Sequence, residues 1–221
     1  MCGRISFKMT WKEIDDILAL EEPEEIELPA RFQPSYNIAP TMLHPIVHAV
    51  KTKRLMAMSK WGFVPSWWSS PQPPKHTINA RSETAATTGM FKSAFQSSRC
   101  IVPASGYFEW QVQSDSSKQP FYIHRADSKP LLLGGLHAIH DGSDTFAILT
   151  TSAPHGLEHV HDRSPVVLEP EQVSTWLDSS TPVLTLQSLC KPAADGILAW
   201  HQVSKAVGNV RNNMPELILP A

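Results

Sequence analysis

The sequence lacks the surplus of basic residues that marks most nucleic-acid binders. Nineteen lysines and arginines stand against 21 aspartates and glutamates, a net charge of -2. A broad cationic surface is therefore excluded, and any phosphate-binding patch must be local. No apolar run approaches the length of a bilayer span, and the first residues show no basic-then-apolar export pattern. These absences lead us to expect a cytoplasmic protein that stays out of membranes. Cysteine is scarce, with Cys2, Cys100 and Cys190 odd in number and far apart, which excludes both a disulfide framework and a zinc-finger spacing. Repeats, low-complexity tracts and linker-like stretches are missing too, so the whole chain, 1–221, reads as one domain.

What is present suits a packed core: 42% hydrophobic and 18% charged residues in 221. Thr10 and Glu13 have capping-box spacing, and Trp11, Ile14 and Leu18 share one helical face, so 11–20 reads as an amphipathic helix. The acidic run "EEPEEIE" at 21–27 reads as a solvated loop. "HPIVHAV" and "RLMAMSKWGF" read as two strands joined by a basic turn at 51–54. The prolines and serines of "PSWWSSPQPPKHT" make 65–77 a loop, and Phe91 and Phe95 suggest a helix over 83–97. Five strand-like runs follow between residues 99 and 153, then short helices near 170–178 and 184–190, then a last strand in "LAWHQVS". Connections are too short for repeated βαβ crossovers. The expected fold is α+β: a curled, barrel-like, mainly antiparallel or mixed sheet with short flanking helices.

The chemically conspicuous stretch is "MCGRISF" at 1–7. Removal of Met1 would leave Cys2 with an α-amine of pKa about 8 and a thiol of about 8.5 on adjacent carbons. An aldehyde meeting this pair can form an imine with the amine, after which the thiol closes a five-membered thiazolidine at high effective concentration. N-terminal-nucleophile amidotransferases also open Met-Cys-Gly, with the thiol attacking an amide and the amine acting as base. Three further segments carry candidate groups. "INARSET" at 78–84 places Asn79 and Arg81 on one face of an extended segment. "GYFEW" at 106–110 sets Glu109 between aromatics, which would raise its pKa and suit proton transfer. "HDRSP" at 161–165 groups His161, Asp162 and Arg163. Each has a plain structural use as well. Asn79 can cap a turn, Glu109 can face solvent on an alternating strand, and His161 can be a satisfied core histidine. His155, His159 and His161 lack a completing carboxylate or cysteine at a recognised ligand spacing, so no metal and no cofactor is expected.

Together, "MCGR", "YNIAP", "WGFVPSWW", "INARSET", "RCIVPASGYFEW", "HDRSPVVL" and "VSKAVGNVRNN" resemble the SRAP family, the SOS-response-associated peptidases, over nearly the whole chain and in the same order. The resemblance implies a sensor and shield of abasic sites in single-stranded DNA. Cys2 would form a thiazolidine DNA–protein crosslink with the ring-opened sugar. Asn79 would position the sugar or amine, Glu109 would shuttle protons, and His161 would assist sugar-ring opening. It further implies phosphate contacts from Arg4, Arg81 and Arg163, and hydrogen bonds from Asn37 and Thr150. Pro40 and Trp110 would stack on exposed bases, with Trp67 and Trp68 lining the same groove. Asn209 and Arg211 would have a structural or phosphate-facing role. A monomer associated with replication forks is the implied setting. The alternative is an N-terminal-cysteine hydrolase, peptidase or amidotransferase, although the "HRGPD"-type segment of amidotransferases is missing.

Overall fold

The computed structural model describes residues 2–20 and 33–221; the acidic run at 21–27 lies outside them. Strand β1 (Ile5–Phe7) is followed by helix α1 (Trp11–Leu18). Thr10 caps this helix: its hydroxyl accepts the Glu13 N–H, and the Glu13 carboxylate accepts the Thr10 N–H at 2.6 Å. Ile14 and Leu18 turn inward, and the helix stops at Leu18, where Ala19 takes a left-handed conformation, two residues short of the expected end. Strand β2 (Ser35–Ile38) precedes the hairpin of β3 (Leu43–Val50) and β4 (Lys53–Trp61), which turns at Lys51 with φ of 57°. Residues 65–77 contain no helix or strand. Strand β5 (Asn79–Arg81) then runs directly into α2 (Ser82–Ala85).

The single helix expected over 83–97 is two, α2 and α3 (Lys92–Ser97). The hydroxyls of Thr87 and Thr88 both bond back to the Thr84 carbonyl, which competes with helix propagation just before Gly89. Beyond α3 the expected strands appear in order. They are β6 (Arg99–Ala104), β7 (Gly106–Val112), β8 (Lys118–Arg125), β9 (Leu131–His140) and β10 (Ser143–Ser152). Two short strands, β11 (Arg163–Pro165) and β12 (Val167–Leu168), precede helices α4 (Val173–Leu177) and α5 (Val183–Leu189) and the last strand, β13 (Leu198–Gln202).

The strands form two sheets. The first has the order β13-β8-β7-β1-β2; the second runs β11-β10-β4-β3-β6-β9-β12, with β5 beside β10. A further β10–β9 pairing curls the second sheet back on itself. Pairing is antiparallel except for β10 with β4 and with β5. The fold class is therefore α+β with a curled, mixed sheet. The main core lies between the sheets and under the helices, filled by Trp61, Trp176, Tyr107, Phe95 and Phe146. A smaller cluster of Phe108, Tyr122, Val203, Val207 and Leu217 covers the other face of the first sheet. The Tyr107 and Ser164 hydroxyls, 3.0 Å apart, tie β7 of one sheet to β11 of the other.

Gly106 starts β7 where no side chain fits. A Cβ there would lie 2.4 Å from Tyr122 Cζ and 2.6 Å from the Ile123 carbonyl oxygen. The backbone oxygen cannot swing aside as a flexible side chain could. Gly106→Ala should cost about 1–3 kcal/mol, read as a lowered melting temperature; an unchanged melting temperature would contradict this packing.

Candidate active site

Strand β1 lies inside the first sheet, between β7 and β2, so the residues just before it are drawn into the core. Cys2 is completely buried. Asn79, the first residue of β5, is buried as well, and its Nδ2 donates to the Cys2 carbonyl at 2.7 Å. Parallel pairing of β5 with β10, in which Asn79 faces Ile148, sets the height of that amide in the second sheet. Asn79 Oδ1 is buried and has no hydrogen-bond partner among the described residues, so an acceptor stands ready beside the cysteine.

Alternation along β7 separates Tyr107 and Glu109 from Phe108 and Trp110. Tyr107 belongs to the main core, whereas Phe108 and Trp110 belong to the smaller cluster. Glu109 is only 3% exposed, not solvent-facing. Burial pushes its carboxyl up to about 7, so both protonation states are populated near neutrality. Burial, reinforced by the charge of Glu109, holds the Cys2 thiol well above the ordinary thiol range. The thiol therefore rests protonated at neutral pH, and its proton needs an acceptor before sulfur can react.

His161 precedes β11 and is partly buried. Its Nδ1 faces two groups, the Arg163 N–H at 3.0 Å and an Asp162 carboxylate oxygen at 2.8 Å. Unprotonated, Nδ1 accepts from Arg163; protonated, it donates to Asp162. Burial lowers the imidazole below the ordinary histidine range, which favours the neutral, accepting form. His161 shares an open cleft with Arg81, Glu83, Asp162 and Arg163. Arg163 grips Glu83 with both Nη atoms, at 2.6 and 2.8 Å, and donates to the Thr150 carbonyl at 2.6 Å. Thr150 sits on β10 opposite Arg81 of β5 and Pro165 of β11, so one residue links both flanks of the cleft.

Residues 1–210 match the family model of SRAP, the SOS response associated peptidases. The chain belongs to this family. It is 36% identical over 232 residues to the abasic site processing protein YedK of Escherichia coli, covering all of both chains. It is 32% identical over 225 residues to the abasic site processing protein YoqW of Bacillus subtilis, covering 99% of each. A crystal structure of a Bacteroides thetaiotaomicron protein covers the full length of both chains with a TM-score of 0.86 at 22% identity, a likeness of fold. A phage-related protein of Bordetella bronchiseptica gives 0.72 at 31% identity, over 92% of this chain and 95% of that one.

The SRAP motifs do not all converge. Arg81 and Arg163 line the cleft with His161, and Thr150, fully buried, reaches it only through its hydrogen bond with Arg163. Arg4 and Asn37 are buried in a separate network with the C-terminal segment. Arg4 donates through Nη1 to Asn37 Oδ1 and to the Val207 carbonyl, and its guanidinium lies 5.6 Å from the centre of the Trp110 ring. Asn37 Nδ2 reaches the carbonyls of Val207, Asn209 and Asn212 at 2.8 to 3.2 Å. Asn209 Oδ1 accepts the exposed Arg211 N–H. Pro40 is half-buried in the turn after β2. Trp67 is 58% exposed, while Trp68 is anchored through Nε1 on the Gln72 carbonyl at 2.8 Å. Glu83, Tyr107 and Ser164 carry no expectation from the sequence. All three lie inside quoted motifs, and their spacing to Arg81, Glu109 and Arg163 was the available signal.

The raised carboxyl has a thermodynamic signature. A group whose folded pKa exceeds its unfolded one stabilises fully below the unfolded value, and that contribution is lost as pH rises through the folded value. For Glu109 the window runs from about 4.5 to about 7. Glu109→Gln should therefore gain stability relative to the parent protein between pH 5 and pH 8, by up to about 3 kcal/mol. Melting temperatures across that range check this; parallel pH profiles would mean that Glu109 titrates normally.

Proposed function

We propose that this SRAP protein captures abasic sites in single-stranded DNA by forming a thiazolidine at Cys2 once Met1 has been removed. The observation that carries the reading is the grouping of Cys2 and Asn79 with Glu109, whose burial pushes its carboxyl up to about 7. The names of the relatives YedK and YoqW support the class of substrate.

The ring-opened sugar presents an aldehyde. The Cys2 amine adds to its carbon and the adduct loses one water, leaving an imine. The thiol then adds to the same carbon, and its proton ends on the ring nitrogen. The balance is aminothiol plus aldehyde giving thiazolidine plus water. Glu109 in its carboxylate form takes the proton of the attacking amine and returns it to the departing hydroxyl. The same carboxylate can accept the thiol proton during ring closure, which matters because burial keeps that proton on sulfur. Asn79 fixes the Cys2 carbonyl through Nδ2, and Oδ1 is free to accept from the amine or a sugar hydroxyl. Neutral His161 relays the proton that ring opening moves onto the sugar oxygen. Arg81 and Arg163 hold phosphates at the cleft, with Thr150 ordering Arg163. Arg4 and Asn37 support the strand from behind by ordering Trp110 and the 207–212 segment, while Pro40, Trp67 and Trp68 offer apolar faces to unstacked bases.

A peptidase or amidotransferase would need a thiolate attacking an amide carbonyl. The raised thiol argues against that step and is tolerated by the imine-first route, in which nitrogen attacks before sulfur.

The test is a denaturing gel after heating, with an abasic single-stranded oligonucleotide and protein shown by mass to begin at Cys2. A stable shifted band is expected. Cys2→Ala should abolish it, and Glu109→Gln should slow it by about 10²–10⁴-fold. An equally stable band from Cys2→Ala, or none from the parent protein, rejects the proposal.

A further inference from the structure

The cleft beside His161 carries an anion-binding arginine that is already occupied. The carboxylate of Glu83 sits in the fork of Arg163, with parallel bonds of 2.6 and 2.8 Å. This is the two-pronged geometry that a guanidinium offers to phosphate. The remaining capacity of Arg163 is small: Nη2 also serves the Thr150 carbonyl, and Nε is buried without a partner. Arg81, two residues before Glu83 and exposed, makes no ion pair among the described residues. The two arginines of the cleft thus differ, one open and one closed by a carboxylate. Glu83 is not locked in place by packing, since its side chain is 51% exposed against 16% for Arg163. It can swing into solvent while Arg163 stays where β11 and Thr150 hold it.

We propose that Glu83 is an intramolecular stand-in for a DNA backbone phosphate, and that a strand must displace it to engage Arg163. This inference rests on the proposed single-stranded DNA substrate. Glu83 is then a specificity-determining residue. Reversible binding of undamaged strands is held down because each engagement of Arg163 must break the bidentate pair. Capture at an abasic site tolerates the same competition, since the covalent bond, once made, no longer depends on that equilibrium. With Asp162 also at the rim, the cleft carries two acids against two arginines and attracts phosphate weakly until Glu83 leaves.

The experiment measures binding of a fluorescent, undamaged oligothymidylate by anisotropy across a salt series. The proteins are the parent, Glu83→Gln, Glu83→Asp, Arg163→Ala and the Glu83→Gln/Arg163→Ala double variant. Glu83→Gln should bind about two- to five-fold tighter, with a salt slope steeper by about 0.7 for the added phosphate contact. Glu83→Asp, whose shorter side chain withdraws from the fork, should fall between it and the parent. The gain should vanish without Arg163. Weaker binding by both Glu83 variants would mean that Glu83 only positions Arg163 and would overturn the proposal. So would an equal gain in the Arg163→Ala background, which would reflect net charge alone. Crosslinking of an abasic oligonucleotide by the parent protein is read in parallel. Its absence rejects the proposed function, whereas crosslinking with no tightening in the variants rejects only the role of Glu83.

Discussion

The placement of β1 inside the first sheet is the constraint on which the site depends. A chain start normally frays because nothing holds it. Here Ile5, Ser6 and Phe7 are fully or almost fully buried and paired on both sides, with β7 on one flank and β2 on the other. The residues before them inherit that order. Cys2 is thereby brought next to a carboxylate on β7 and an amide on β5, although 77 residues of chain separate it from Asn79. The site is assembled from both sheets, so its geometry is only as good as their relative position. The Tyr107–Ser164 hydrogen bond, two residues from Glu109 on one strand and next to Arg163 on the other, helps to fix that position.

Both faces of β7 are used, for different ends. Its odd-numbered residues face the main core and hold the titrating carboxylate. Its even-numbered residues face the C-terminal cover, where Trp110 receives the guanidinium of Arg4. A chain of net charge -2 thereby keeps a buried arginine two residues from Cys2. Arg4 meets one backbone carbonyl and an amide oxygen, not a carboxylate, so its charge is met by dipoles that the fold supplies. The C-terminal segment is therefore part of the frame around β1, and Asn37 joins it there with three backbone acceptors.

The local elements were readable wherever one physical rule dominates. The capping box of α1, the β3–β4 hairpin and the succession of strands from β6 to β10 all follow from periodicity and turn chemistry. The split of the 83–97 helix was hidden because backbone competition from Thr87 and Thr88 outweighs the spacing of Phe91 and Phe95. Glu109 shows the limit more sharply. Aromatic neighbours suggested a raised pKa, yet alternation alone allowed solvent exposure. Which face of β7 is inward depends on the register with β1 and β8, and no local pattern encodes that. The pairing of Arg163 with Glu83 was illegible for the same reason, because the two lie 80 residues apart.

The protein carries these arrangements at a cost to its own stability. A buried carboxyl displaced to about 7 opposes folding whenever it is ionised, so at neutral pH Glu109 works against the fold. In the proposed capture, the same burial that makes the carboxylate costly also makes it basic enough near neutrality to take a proton from the attacking amine. It simultaneously keeps the thiol protonated, which in the proposed scheme delays sulfur until nitrogen has activated the carbon. On that proposal, one desolvated pocket sets both the strength of the base and the order of the two bond-forming steps. On the same proposal, a carboxylate moved into solvent would serve less well, even at the same distance from Cys2.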